Sequence, residues 1–225
     1  MAENENIRAA EPFRFYTRLN LSELTGMTAS NLDELLECVR EAPEAAIYHH
    51  THRFLQQHQY LSPEPPNDFA YWVTNVLGEK DLGERLASID TVQFNTINDL
   101  RQVFIATLKN YLQENPTAKS RFATRDESFY FIKSLSFVFP TNYIAYDLAE
   151  FLEVLEKVTI DSLYFHIFES RLRLSKGYND FSNWIQECAG DKKLANDISR
   201  LDPYSHTIEE LRGRIIKLIE RRLKK

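Results

Sequence analysis

Glycine is scarce here, with six in 225 residues. A backbone cradle for a nucleotide phosphate needs closely spaced glycines. No Gly-rich phosphate loop, Gly-x-Ser-x-Gly elbow or kinase-type signature occurs. Cysteine is scarcer still. Cys38 and Cys188 cannot build a disulfide framework, and no Cys-x-x-Cys pair is present. Both read as buried thiols of a cytosolic (cytoplasmic) protein, because free cysteine behaves as a small hydrophobe. No apolar run approaches membrane-spanning length, so no membrane partner is expected. The start, Met1-Ala2-Glu3-Asn4-Glu5-Asn6, is polar and acidic, unlike a secretory signal. An excess of positive charge is missing too. The net charge of −6 does not favour nucleic acid. The basic end, Arg221-Arg222-Leu223-Lys224-Lys225, reads first as cations at a helix C-terminus and only second as a phosphate or nucleic-acid contact.

What is present is a repeat, in a chain whose length suits one large domain or two small ones. A shift of 116 positions aligns Phe13 with Phe129, Phe15 with Phe131, Glu37 with Glu153, Tyr48 with Tyr164 and His50 with His166. After a short loop the shift becomes 112, matching Asn67-Asp68-Phe69 with Asn179-Asp180-Phe181 and Trp72 with Trp184. Before the last helix it becomes 111, matching Thr96-Ile97 with Thr207-Ile208. Chance does not hold one register over about a hundred residues with only these small slips.

The run Ile47-Tyr48-His49-His50-Thr51-His52-Arg53-Phe54, the stretch Ser62 to Trp72 and the second Asn179-Asp180-Phe181-Ser182-Asn183-Trp184 together resemble an uncharacterised bacterial family known only as a domain of unknown function. The resemblance covers nearly the whole chain. It implies relatedness and brings no activity or site residues with it.

Period-two alternation at Phe13, Phe15, Thr17, Leu19 and Leu21, and again at Phe129, Phe131, Leu135 and Phe137, fits a short strand; an extended loop fits nearly as well. Asn31 with Glu34, and Asp147 with Glu150, have the spacing of capping boxes that open helices. A second helix is expected over about Pro43 to Gln59, carrying the histidines. Its counterpart, with Leu163, Phe165, Ile167 and Phe168, is apolar all round and therefore reads as buried. Asp68 and Asp180 fit N-caps of a third helix, and Gly78 and Gly190 suit the left-handed position that ends it. The expected fold is mainly α: an internally duplicated helical bundle with pseudo-twofold symmetry and room for one short strand per half. Its parts are a first repeat over 11–115, a linker over 116–126 and a second repeat over 127–225.

Two candidate sites stand out. The first repeat places His49 and His52 where the second has Phe165 and Phe168. Tyr48, His49, His50, His52, His58 and Tyr71 thus form a polar, aromatic collection on an otherwise buried helix, suited to a small polar ligand or a peptide. His49 and His52, three apart, could share a metal ion if another element supplied a third ligand. No His-Glu-x-x-His is present, and no other cofactor is implied. The second candidate is the repeated set Glu37, His50, Glu153 and His166, either as ordinary buried histidines with partners or as a two-Glu, two-His cluster. The leading functional expectation is a non-enzymatic binding or regulatory module for a protein partner or small polar ligand. The alternative is a His- or metal-dependent enzyme using His49, His50, His52 and His58.

Overall fold

Alternation at the two phenylalanine pairs marks strands far longer than their apolar part. In the computed structural model, which describes residues 8–53, 66–170, 179–201 and 207–224, β1 spans Phe13–Ala29 and β2 spans Phe129–Ala145. They are neighbours in a two-stranded sheet. Thr25 Oγ1 donates to Phe131 O, and Thr141 Oγ1 donates to Phe15 O. Rising numbers on one strand meet falling numbers on the other, so the pairing is antiparallel. The expected mainly α, internally duplicated bundle with pseudo-twofold symmetry is therefore corrected to a mixed α and β fold. The full length of the strands escapes a periodicity reading because burial is concentrated near their ends. From Leu21 to Leu24 and from Leu135 to Pro140 every residue is exposed, so the inside–outside alternation that advertises a strand is lost.

The helices follow their local signals. α1 is Leu32–Glu41, capped by Asn31, whose side chain accepts from Glu34 N. α2 is Glu44–Tyr48, entered through Pro43, and continues as a π-helical turn over His49–Arg53. α3 is Asp68–Asn75, α4 is Lys80–Ala87 and α5 is Ile97–Glu114. Short 3-10 turns occupy Pro116–Ser120 and Arg125–Glu127 before β2. Then come α6 (Leu148–Leu155), α7 (Ile160–Tyr164) with a π-helical turn at Phe165–Glu169, α8 (Asp180–Glu187), α9 (Lys192–Ser199) and α10 (Ile208–Leu223). The caps of α3 and α8 are Asn67 and Asn179, one residue earlier than the aspartates expected there; their side-chain Oδ1 atoms accept from Ala70 N and Ser182 N. Gly78 and Gly190 have φ of 71° and 72°, the left-handed conformation expected of them. Thr207 and Glu210 form a full capping box on α10.

The chain divides into two compact units, and the division falls inside the strands. One unit is continuous, Asn20–Ser136; the other joins Met1–Leu19 to Phe137–Lys225. In the continuous unit, Phe129 and Phe131 from β2 enter a core with Leu32, Leu35, Phe69, Trp72, Leu100 and Phe104. In the discontinuous unit, Phe13 lies with its ring centroid 5.3 Å from that of Phe151 and 5.5 Å from that of Phe181. Each unit therefore takes the leading end of one strand as part of its core. Burying a phenylalanine stabilises by about 2–3 kcal/mol, so two per unit are a substantial part of the packing.

Candidate functional site

The histidine helix begins as an ordinary α-turn and then widens. His49 to Arg53 is π-helical, and so is Phe165 to Glu169 at the corresponding place in the other unit. In the first of these, Thr51 Oγ1 donates to Ile47 O at 2.7 Å. That hydroxyl occupies the carbonyl an α-helix would use for the amide four residues on, favouring the looser i→i+5 pattern. Such widened turns are rare and change which side chains share a face.

His50 sits on this turn between a carboxylate and a strand. Its Nδ1 lies 2.7 Å from Asp68 Oδ2, and its Nε2 accepts from the backbone N–H of Ile132 at 2.9 Å. In the other unit, His166 Nδ1 lies 2.7 Å from Asp180 Oδ2, and Nε2 accepts from Tyr16 N–H at 2.8 Å. An amide N–H can only donate, so Nε2 is the bare nitrogen and Nδ1 carries the proton toward the carboxylate. The aspartate thus orients the ring, as in a catalytic triad, but the ring points at a backbone amide. The arrangement fixes a strand end in one register.

Two tryptophans complete the capture. Trp72 Nε1 donates to Glu127 O and Trp184 Nε1 donates to Glu11 O, both at 2.7 Å. Each unit therefore holds an extended segment by the same four features. A carbonyl is bound two residues before the first phenylalanine, two phenylalanines are buried, and an amide is bound one residue after the second. The rings contact the histidine as well: His50 to Phe129 is 4.7 Å between centroids, and His166 to Phe13 is 5.0 Å.

Glu37 and Glu153 are not part of this. Glu37 is exposed and pairs with Arg40, while Glu153 is exposed and reaches Lys157. Both face solvent on α1 and α6, one residue away from the buried faces containing Leu36 and Val154. The carboxylates that meet the histidines are Asp68 and Asp180. Their signal was in the sequence, since Asn-Asp-Phe recurs wherever Tyr-x-His does, but a capping role explained the aspartates without the histidines.

His49 and His52 are both buried and meet different partners. His49 Nδ1 lies 2.8 Å from Ser134 Oγ. His52 stacks on Tyr48 at 5.6 Å, with Nδ1 3.1 Å from Thr51 Oγ1. Burial pushes His49 down to about 4, with the neighbouring His50 and Arg53 adding to the shift and the Asp68 carboxylate opposing it. Burial likewise pushes His52 down to about 4, opposed by a backbone hydrogen bond at Thr91. Both rings are therefore neutral at pH 7. Among the described residues no group of three His, Cys, Asp or Glu side chains is placed to hold a metal ion. Tyr71 is exposed on α3, and His58 lies outside the described residues. Cys38 and Cys188 are free and half-buried. Burial first, then Glu34, Glu41 and Glu37, push the Cys38 thiol up, away from the reactive thiolate.

One contact separates the two captured segments. Arg18 of β1 forms an ion pair with Glu169, whose side chain is 2% exposed. The aligned residues in the other unit are Ser134 and Arg53, and Ser134 meets His49 instead.

The architecture has a solved relative. The structure of OrfY from Thermoproteus tenax superposes with a TM-score of 0.79 at 32% sequence identity, covering 95% of this chain and 96% of that one. Comparison with the curated proteins gives no match. No helix among the described residues is long and apolar enough to cross a membrane. A family model matches residues 10–220, nearly the whole chain, and on that match this protein belongs to the family of unknown function DUF5752.

Proposed function

We propose that this protein is a non-enzymatic module that binds a protein partner through its β-strands, in the cytosol. The observation that carries the reading is the placement of exposed apolar side chains. Of the twelve large hydrophobic residues that are exposed among the described residues, nine lie on β1 or β2. Phe137, Val138 and Phe139 follow one another on β2 at 47%, 45% and 48% exposure, with Tyr143 further along. Unpaired strand edges invite another chain. A partner supplying a strand or an apolar face would gain both backbone hydrogen bonds and apolar burial. Two free cysteines and a net charge of −6 support a reducing compartment and a protein partner over nucleic acid.

The small-ligand reading at Tyr48, His49, His50 and His52 draws less support, because these side chains are buried and bonded within their own unit. The enzymatic alternative rests on one observation, the 2.8 Å spacing of His49 Nδ1 and Ser134 Oγ, which suits a base and a hydroxyl. Both groups are buried, and a histidine held down to about 4 is a weak base.

The test is a photo-crosslinking amino acid placed at Phe139 and, as an exposed control on a helix, at Tyr71. A discrete crosslinked protein from Phe139 alone is the expected result. No product, or the same products from both positions, rejects the strands as the binding surface.

A further inference from the structure

We propose that α10 carries a docking surface for an acidic helix of a partner protein, formed by the row Arg214, Lys217, Arg221 and Lys224. Such a surface presupposes the protein-binding reading given above and is distinct from the strands that carry that reading.

The row follows from helical geometry. Ile208, Leu211, Ile215 and Ile219 are the buried residues of α10. At about 100° per residue they share one sector of the helix. Arg214, Lys217, Arg221 and the C-cap Lys224 follow one another at intervals of three, four and three residues, and all four are exposed. They fall in a sector about 140° from the buried one and run along about 15 Å of the helix. Among the described residues no carboxylate pairs with Arg214, Lys217 or Arg221. Lys224 Nζ lies 4.0 Å from Glu220 Oε2, a loose ion pair.

The fold does not require these charges. α5 is the corresponding helix of the continuous unit. Its Arg101 donates to Arg40 O as Arg212 donates to Leu155 O, and its Tyr111 meets Glu79 as Arg222 meets Asp191. At the positions aligned with the row, α5 has Val103, Ala106, Asn110 and Gln113, all uncharged. The macrodipole favours cations at a helix C-terminus, which accounts for Arg221 and Lys224. It does not account for Arg214 and Lys217, which lie in the middle of α10.

The spacing selects the partner. Carboxylates three and four residues apart on another helix form a row of the same kind. Exposed ion pairs are individually weak, so the four act as a set and are screened by salt. Nucleic acid fits less well. α10 has no aromatic side chain on which a base could stack. Asn20–Ser136 holds sixteen acidic side chains against ten basic, which is the whole of the net charge of −6. A long polyanion would be repelled by that field, whereas a short acidic helix engages α10 alone.

The test uses the full chain and two fluorescein-labelled, alanine-based helical peptides. One has glutamates at i, i+3, i+7 and i+10; the other has the same composition with the glutamates rearranged around the helix. Fluorescence anisotropy at about 50 mM salt is expected to show tighter binding of the matched peptide, lost by about 300 mM salt. The variant Arg214→Gln/Lys217→Gln/Arg221→Gln, neutral as α5 is, should bind the matched peptide about tenfold more weakly. No binding by the parent chain, equal binding of the two peptides, or an unchanged affinity in the variant overturns the proposal. A short DNA duplex bound more tightly than the matched peptide overturns it in favour of nucleic acid. The peptide comparison needs no variant, so it stands if the substitutions impair folding. The variant retains Phe139, so crosslinking from that position reports on the strands whichever way α10 behaves.

Discussion

Trp184 and Glu11 are 173 positions apart in the sequence, yet the indole N–H of one donates to the carbonyl of the other at 2.7 Å. Trp72 and Glu127 repeat the relationship over 55 positions. In each unit this bond anchors the outer end of a captured strand while a histidine anchors the inner end. Trp184→Phe keeps most of the ring and removes the donor. It is expected to lower stability by about 1–2 kcal/mol, the cost of leaving a carbonyl without its partner. Urea denaturation of the two variants, with Trp72→Phe as the parallel case, measures it. A change within error of zero in both would remove the tryptophans from the anchor.

Asp68 and Glu37 make a contrasting pair. Asp68→Ala strips His50 of the acceptor that orients it and should cost about 2 kcal/mol. Glu37→Ala removes only an exposed ion pair with Arg40 and should stay within about 0.5 kcal/mol of the parent. Equal effects in thermal melts would refute the assignment of Asp68 as the histidine's carboxylate. Amide exchange at Ile132 gives an independent readout, since that N–H donates to His50 Nε2. It should become faster in Asp68→Ala and stay unchanged in Glu37→Ala.

Acid should weaken the continuous unit in a defined window. Folded, His49 and His52 are held down to about 4 by burial. Unfolded, each takes up a proton near pH 6.5. Between those values the unfolded chain binds more protons, so stability rises with pH there. The contribution is complete above about pH 6.5, falls as the pH drops toward about 4, and changes no further below that. Denaturation midpoints across this range check it. His52→Phe, which installs the residue found at the aligned position 168, should flatten the slope; an unaltered slope would show that His52 does not contribute to it.

Strand residues of similar chemistry should differ sharply by position. Phe131 is fully buried among the side chains of the continuous unit, so Phe131→Ala is expected to cost about 3–5 kcal/mol. Phe139 is half exposed, and Phe139→Ala should move stability by no more than about 0.5 kcal/mol. Guanidinium melts of both variants decide this. A large loss at Phe139 would mean that its ring is part of the core and unavailable to a partner.

The local features of this protein were fixed by its sequence. Asn31, Asp147, Thr96 and Thr207 start helices because a short polar side chain can satisfy a free amide two or three residues on, a contact that needs no distant partner. Gly78 and Gly190 end helices because a residue without Cβ adopts positive φ at no steric cost. The burial of the histidine helices could be read from its all-apolar counterpart. Only tertiary structure decided the rest. Two strands separated by about a hundred residues pair without a turn to announce them, and the exposed middle of each erases the alternation that would have given its length. Helical spacing also cannot say that His50 meets Asp68 rather than Glu37, because the first two lie 18 positions apart, beyond the reach of one helix's i, i+3 and i+4 contacts. Which helices receive Phe13 and Phe15 was likewise invisible: the phenylalanines are apolar in any register, and the contacts that hold their segment, such as Tyr16 N–H to His166 Nε2, are made across 150 positions of chain.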